Sequence, residues 1–166
     1  VVATSRQAAR ERVAIFVDVQ NVYYTTRQAF SRHFDYNTFW AHFAADREVV
    51  VANAYAVERG DPRQQQFQAI LRGIGFTVKL KPFIQRRDGS AKGDWDVGIA
   101  LDAMEAAPLV DRVVLVSGDG DFDLLVERMR ERHGVVVEVV GVERLTADSL
   151  IRAASRFVPI EGELLL

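Results

Sequence analysis

Two short apolar runs, each ending in aspartate, restrict this chain more than any other feature. Val13-Ala14-Ile15-Phe16-Val17 leads into Asp18, and Val113-Val114-Leu115-Val116 leads into Ser117-Gly118-Asp119-Gly120-Asp121-Phe122-Asp123. Continuous apolar runs rich in β-branched residues are the mark of strands covered on both faces, as in a parallel sheet. Laid parallel, such strands deliver their terminal aspartates side by side at the carboxyl edge, where open α/β sheets bind ligands. The loop after the second run, with a carboxylate at every second position, is therefore the expected site.

The remaining segments alternate between the two periodicities. Strands are expected at Glu48 to Val57, Phe76 to Phe83, Val135 to Val140 and, briefly, Phe157-Val158. Helices are expected at Val22 to Phe30, at Asn37 to Ala45 with Asp35 or Asn37 as cap, and at Pro62 to Ile74, where Phe67, Ile70, Leu71 and Ile74 repeat at i, i+3, i+4, i+7. Further helices are expected at Asp94 to Ala106 with Val97, Leu101 and Met104 inward, at Phe122 to His133, and to about Ser155 after a cap by Thr146, alone or with Asp148. Gln85 to Gly93 reads as a polar loop. This alternation predicts an α/β fold, a doubly wound, mostly parallel five- to six-stranded sheet flanked by helices. At 166 residues the chain suits one domain, 13–158, with a flexible arm at 1–12 and a tail at 159–166.

Charge is unevenly spread. Between Arg59 and Lys92 eight basic residues, including all three lysines, face two acidic ones, whereas the whole chain carries −2. A basic flank beside an acidic pocket suits a metal-dependent enzyme acting on a polyanion, although ordinary surface charge has the same signature. No apolar run is long enough to span a membrane, and the first residues lack a signal-peptide layout, so a soluble, cytoplasmic protein is expected. The absence of cysteine excludes disulfides and thiolate metal sites.

In a parallel sheet Asp18, Asp94, Asp96, Asp119 and Asp121 share one edge. So many carboxylates repel one another unless a cation lies among them. Oxygen donors without cysteine, and with His33, His42 and His133 inside or at the far ends of helices, favour Mg2+ or Mn2+ over zinc. Any one of these acids, or Asn21, has a plain alternative as a helix cap. Three acids in the 117–123 loop exceed what capping requires. Gly118 and Gly120 suit either a positive φ or the close approach of a ligand. Asp102 follows Asp96 by six residues, about 120° round the helix, so the two cannot face one ion squarely.

Three stretches together resemble the NYN domains, the LabA-like branch of the PIN-like nuclease superfamily. They are Phe16-Val17-Asp18-Val19-Gln20-Asn21, Lys92-Gly93-Asp94-Trp95-Asp96-Val97-Gly98-Ile99-Ala100-Leu101-Asp102, and Val116-Ser117-Gly118-Asp119-Gly120-Asp121-Phe122. The resemblance runs over about residues 13–158. It implies a PIN-like fold and a metal-dependent (Mg2+ or Mn2+) ribonuclease, often a homodimer. The implied catalytic and metal residues are Asp18, Asp96, Asp119 and Asp121, with Asp18 and Asp119 holding the ion and Asp96 and Asp121 ligating it or positioning a water. The common family form has one apolar residue between Lys-Gly and the middle acid, where this chain has Asp94-Trp95, so Asp94 is either a further ligand or a cap. Arg86, Arg87 and Lys92 would track the RNA backbone, Asn21 would orient phosphate or water, and Ser117 would bond a ligating carboxylate. Tyr23, Tyr24 or Trp95 would stack a base of single-stranded RNA, or pack on the core.

Other readings remain to be weighed. A PIN-like module of weak or no activity, recruiting RNA or a protein partner, would carry the same acids. A phosphoacceptor receiver fits poorly because Gly141-Val142-Glu143 stands where a lysine is needed, and a haloacid-dehalogenase-type phosphatase because Gln20 stands where it needs an aspartate. A dinucleotide-binding fold needs glycine after the first strand, which Asp18-Val19-Gln20-Asn21 does not provide.

Overall fold

The computed structural model describes residues 9–82, 84–85, 91–92 and 94–166. Arg86, Arg87 and the Lys92 side chain, three of the expected RNA contacts, lie outside the described residues. Six strands, β1 (Arg12–Asp18), β2 (Glu48–Glu58), β3 (Thr77–Pro82), β6 (Arg112–Val116), β7 (Val136–Gly141) and β8 (Arg156–Pro159), form one sheet in the order β3-β2-β1-β6-β7-β8. Every pairing in it is parallel. The helices are α1 (Val19–Phe30), α2 (Tyr36–Phe43), α3 (Pro62–Ile74), α4 (Asp96–Ala106), α5 (Asp123–His133) and α6 (Asp148–Ala153). Segment 85–93 is more than one polar loop, since β4 (Ile84–Gln85) pairs antiparallel with β5 (Ala91–Lys92).

Strand alternation divides the core in two. Val13, Ile15, Val17, Val114 and Val116 face one side and join Val22, Phe34, Phe39 and Leu71 of the layer built by α1, α2 and α3. Ala14, Phe16, Val113 and Leu115 face the other and join Ile99, Ala103, Val126, Met129 and Leu150 of the layer built by α4, α5 and α6. The central strands are thus covered on both faces, which is why their sequences run apolar without a break. Residues 159–166 also contribute, with Ile160, Leu164 and Leu165 buried in the first core. Leu165 bridges Phe34, and the Leu166 N–H donates to the His33 carbonyl at 2.8 Å.

Helix α4 departs from expectation. Val97 and Leu101 are 71% and 61% exposed, and the buried face is Ile99, Ala103 and Ala106. Apolar residues lie on both sides of this helix, so its periodicity did not fix a face; small side chains turned inward bring it close to the sheet. Asp35 caps α2, accepting from the Thr38 N–H at 3.0 Å and its hydroxyl at 2.8 Å. Thr146 does not cap α6; its hydroxyl donates back to the Val142 carbonyl at 2.7 Å, and Ala147 takes the cap position.

Candidate metal centre at the carboxyl edge

The strand order reverses between β1 and β6, because chain progress runs to β2 and β3 on one side and to β7 and β8 on the other. Such a switch point leaves a crevice at the carboxyl ends of the two strands. Asp18 closes β1 there, and Ser117 to Asp121 leave β6. Asp96 arrives from a third segment as the first residue of α4.

Asp96, Asp119 and Asp121 each bring a carboxylate oxygen within 4.8 Å of the others. Oxygens on opposite sides of a bound Mg2+ or Ca2+ lie about 4–5 Å apart, so this donor set matches a hard divalent cation. All three donors are carboxylates, with no imidazole or thiolate among them. Among the described residues, no ion pair joins Asp18, Asp96, Asp119 or Asp121 to a basic side chain. The electrostatic consequence falls on two of them. Burial, assisted by the charges of Asp119, Asp94, Asp18 and Asp121, pushes the Asp96 carboxyl up to about 7. Burial likewise raises Asp18 to about 6, against hydrogen bonds that favour its ionised form.

Asp18 lies beside the triplet and is held firmly. Its Oδ1 accepts from the Asn21 N–H at 3.3 Å, capping α1, and its Oδ2 from the Ser117 hydroxyl at 3.2 Å. Ser117 is fully buried and its Oγ accepts in turn from the Asp119 N–H at 3.2 Å. The Asn21 side-chain oxygen accepts from the Gly118 N–H at 2.9 Å, so the β1 turn and the β6 loop are tied by side chains from both sides. Asp119 also caps the single helical turn Gly120–Phe122 through the Asp121 N–H. Asp94 is exposed; its Oδ1 accepts from the Asp96 N–H at 3.3 Å.

Gly118 and Gly120 do not serve the positive-φ turn offered by the sequence. Neither has positive φ. A Cβ on Gly118 would stand 2.9 Å from the Leu145 carbonyl and from Thr146 Oγ1, and one on Gly120 would stand 2.8 Å from Ala147 Cβ. The space is taken by segment 145–147, whose Ala147 N–H donates to the Gly118 carbonyl at 3.1 Å. The acidic loop is wedged from behind, and Thr146 is a contributor that the sequence marked only as a cap.

Tyr23 and Tyr24 are 41% and 48% exposed on α1, with Tyr23 stacked on His33. Trp95 is packed instead: its indole N–H donates to the Ala56 carbonyl at 2.8 Å, and Tyr55 lies 5.3 Å away. Asp102 points away from the triplet into a group with Tyr55 and Lys79 that the sequence did not reveal. Its only sequence signal is the lysine of a strand otherwise called wet on one face.

Comparison with known proteins agrees with this architecture. A protein of unknown function from Vibrio parahaemolyticus, known from a crystal structure, superposes with a TM-score of 0.92 and is 60% identical, over 97% of this chain and 99% of that one. The low amplitude and bright protein LabA of Synechococcus elongatus is 31% identical over 157 residues, covering 90% of this chain and 83% of LabA. The NYN domain matches residues 12–161, and the chain belongs to the NYN domain family.

Proposed function

We propose that the protein is a metal-dependent ribonuclease that hydrolyses phosphodiester bonds of single-stranded RNA at the carboxyl-edge cluster, with Mg2+ or Mn2+ as its ion. The observation that carries this reading is the convergence of Asp96, Asp119 and Asp121 within 4.8 Å, drawn from two separate segments, with no basic side chain paired to them among the described residues. These three would hold the ion, with Asp18 beside them. A divalent cation so bound supplies Lewis-acid stabilisation of phosphate charge and lowers the pKa of water. The chain's own part is to hold the carboxylates in place. Ser117 orients Asp18 and the Asp119 backbone, and Asn21 holds the loop at Gly118. Arg86, Arg87 and Lys92 belong in this reading to the path of the RNA backbone, and exposed Tyr23 and Tyr24 offer faces for bases. The reading includes a cytoplasmic protein able to pair with a second copy.

The test is cleavage of end-labelled single-stranded RNA of mixed sequence with Mn2+, Mg2+ or EDTA, beside Asp119→Asn prepared identically. Cleavage that requires metal and vanishes in the variant is the expected result. Equal cleavage by both proteins, or none by either, replaces this reading with that of a module that recruits RNA or a protein partner without cutting.

A further inference from the structure

Helix α4 supplies Asp96, a ligand candidate that does not come from the two central strands, and one large side chain, Ile99, dominates its fully buried face. Only Ile99, Ala103 and Ala106 are buried, while Val97 and Leu101 face outward. Apolar packing of Ile99, Ala103 and Ala106, with Ala100 and Met104 partly buried beside them, sets the face of the helix, and polar contacts can fix the height and rotation of its first turn.

Two polar clamps supply them. At the helix start the Trp95 indole donates to Ala56 of β2, and Lys81 of β3 donates to the Asp94 carbonyl at 3.0 Å while standing 4.6 Å over the Trp95 ring. Gly98 makes room for that ring, since a Cβ there would stand 2.7 Å from Trp95 Cε3. Six residues on, about 9 Å along the axis, Asp102 Oδ2 accepts from the Tyr55 hydroxyl at 2.7 Å and from Lys79 Nζ at 2.7 Å. Tyr55 and Lys79 are cross-strand partners on β2 and β3, and Asn53 donates to the Tyr55 hydroxyl at 3.0 Å. Asp102 is thus gripped by two strands at once through a charge-assisted pair.

We propose that Asp102 is a positioning residue: through Tyr55 and Lys79 it locks α4 to β2 and β3 and so holds the Asp96 carboxylate against Asp119 and Asp121. The inference gives an acidic residue of the central motif a role without metal ligation. Its link to metal rests on the proposed function; its link to helix placement does not.

Two readouts separate these. Hydrogen exchange of the peptide spanning 96–103 reports the clamp, with a peptide from α5 as control. Mn2+ titration calorimetry reports the site, with Asp119→Asn as the variant lacking a ligand. Asp102→Ala is expected to speed exchange in 96–103 about tenfold or more without changing α5, and to weaken Mn2+ binding about 10- to 100-fold, the range typical of residues that orient a metal ligand. Tyr55→Phe and Lys79→Met, which remove the partners and leave Asp102, are expected to produce the same pattern more weakly, and they keep the test open should Asp102→Ala not fold. Unchanged exchange in folded variants overturns the proposal, as does faster exchange with unchanged Mn2+ affinity. If the parent protein binds no Mn2+, the metal reading falls, and the clamp is judged by the exchange result alone.

Discussion

The two ends of the sheet treat carboxylates in opposite ways. At the amino edge Glu138 is 1% exposed in the middle of the strand array, and Arg112 meets it at 2.8 Å, Arg156 at 3.4 Å and Arg47 at 3.9 Å. Glu11 joins the same group through Arg112 at 2.7 Å and Arg47 at 3.1 Å. At the carboxyl edge Asp18, Asp96, Asp119 and Asp121 gather with hydrogen bonds but, among the described residues, without a single paired base. A fold that answers two acids with three arginines at one end has the means to neutralise a buried carboxylate. At the other end burial, with the neighbouring carboxylates adding to it, raises Asp18 and Asp96, and among the described residues no base offsets it; on the proposed function this is a place kept for a ligand rather than for stability.

The contrast can be broken from either side. The largest effect is expected at the amino edge, where Glu138→Ala removes the carboxylate shared by Arg112, Arg156 and Arg47, leaves Arg112 and Arg47 with Glu11 alone, and costs about 3 kcal/mol of stability, the lower end for breaking a buried pair. Urea denaturation measures it, and Mn2+ affinity of the folded fraction should not change. Next, on the proposed function, Asp119→Asn is expected to lower RNA cleavage by about a hundredfold or more, comparable to losing one transition-state stabilising group, while the metal-free protein melts no lower than its parent. Added Mn2+ at about a hundred times its dissociation constant stabilises the parent by about 2.7 kcal/mol, seen as a rise in melting temperature that Asp119→Asn lacks.

A pH series sharpens the comparison with a smaller effect. An acid whose carboxyl is raised in the folded state contributes stability that is fully present below its ordinary value of 3.8 and is lost as pH climbs through the raised value. With Asp18 at about 6 and Asp96 at about 7, the metal-free protein should lose melting temperature between about pH 4 and pH 7, and Mn2+ should bind more tightly as pH rises through 6 and 7. Asp18→Asn and Asp96→Asn should flatten the metal-free slope, measured by calorimetric melting in EDTA.

The contrast also shows where sequence is informative. The carboxyl edge was legible because Asp18, Asp119 and Asp121 follow recognisable strands and Asp96 opens a recognisable helix, and a parallel sheet collects such ends without any knowledge of strand order. The amino-edge group was not legible. Glu138 sits inside a valine run, and its meeting with Arg112 and Arg156 depends on β7 lying between β6 and β8 in register. Helix α4 failed for a different reason, since residues of similar hydropathy lie on both faces and only the fit of Ile99, Ala103 and Ala106 against the sheet chooses between them. Asp102 was set apart by its angle on the helix, but Tyr55 and Lys79 reach it across two strands that no local pattern connects to α4.

The place of β1 in the sheet carries a consequence for how the chain comes to have a site at all. The strand that begins the domain pairs with β6, about a hundred residues later, and the acids of the cluster are spread over positions 18 to 121. Contacts this distant close late, because the loop entropy must be met before they contribute. A chain emerging from synthesis therefore has no assembled cluster until β6 and the loop after it have joined β1. On the proposed reading the chain cannot cut RNA, including its own message, before the domain is essentially whole.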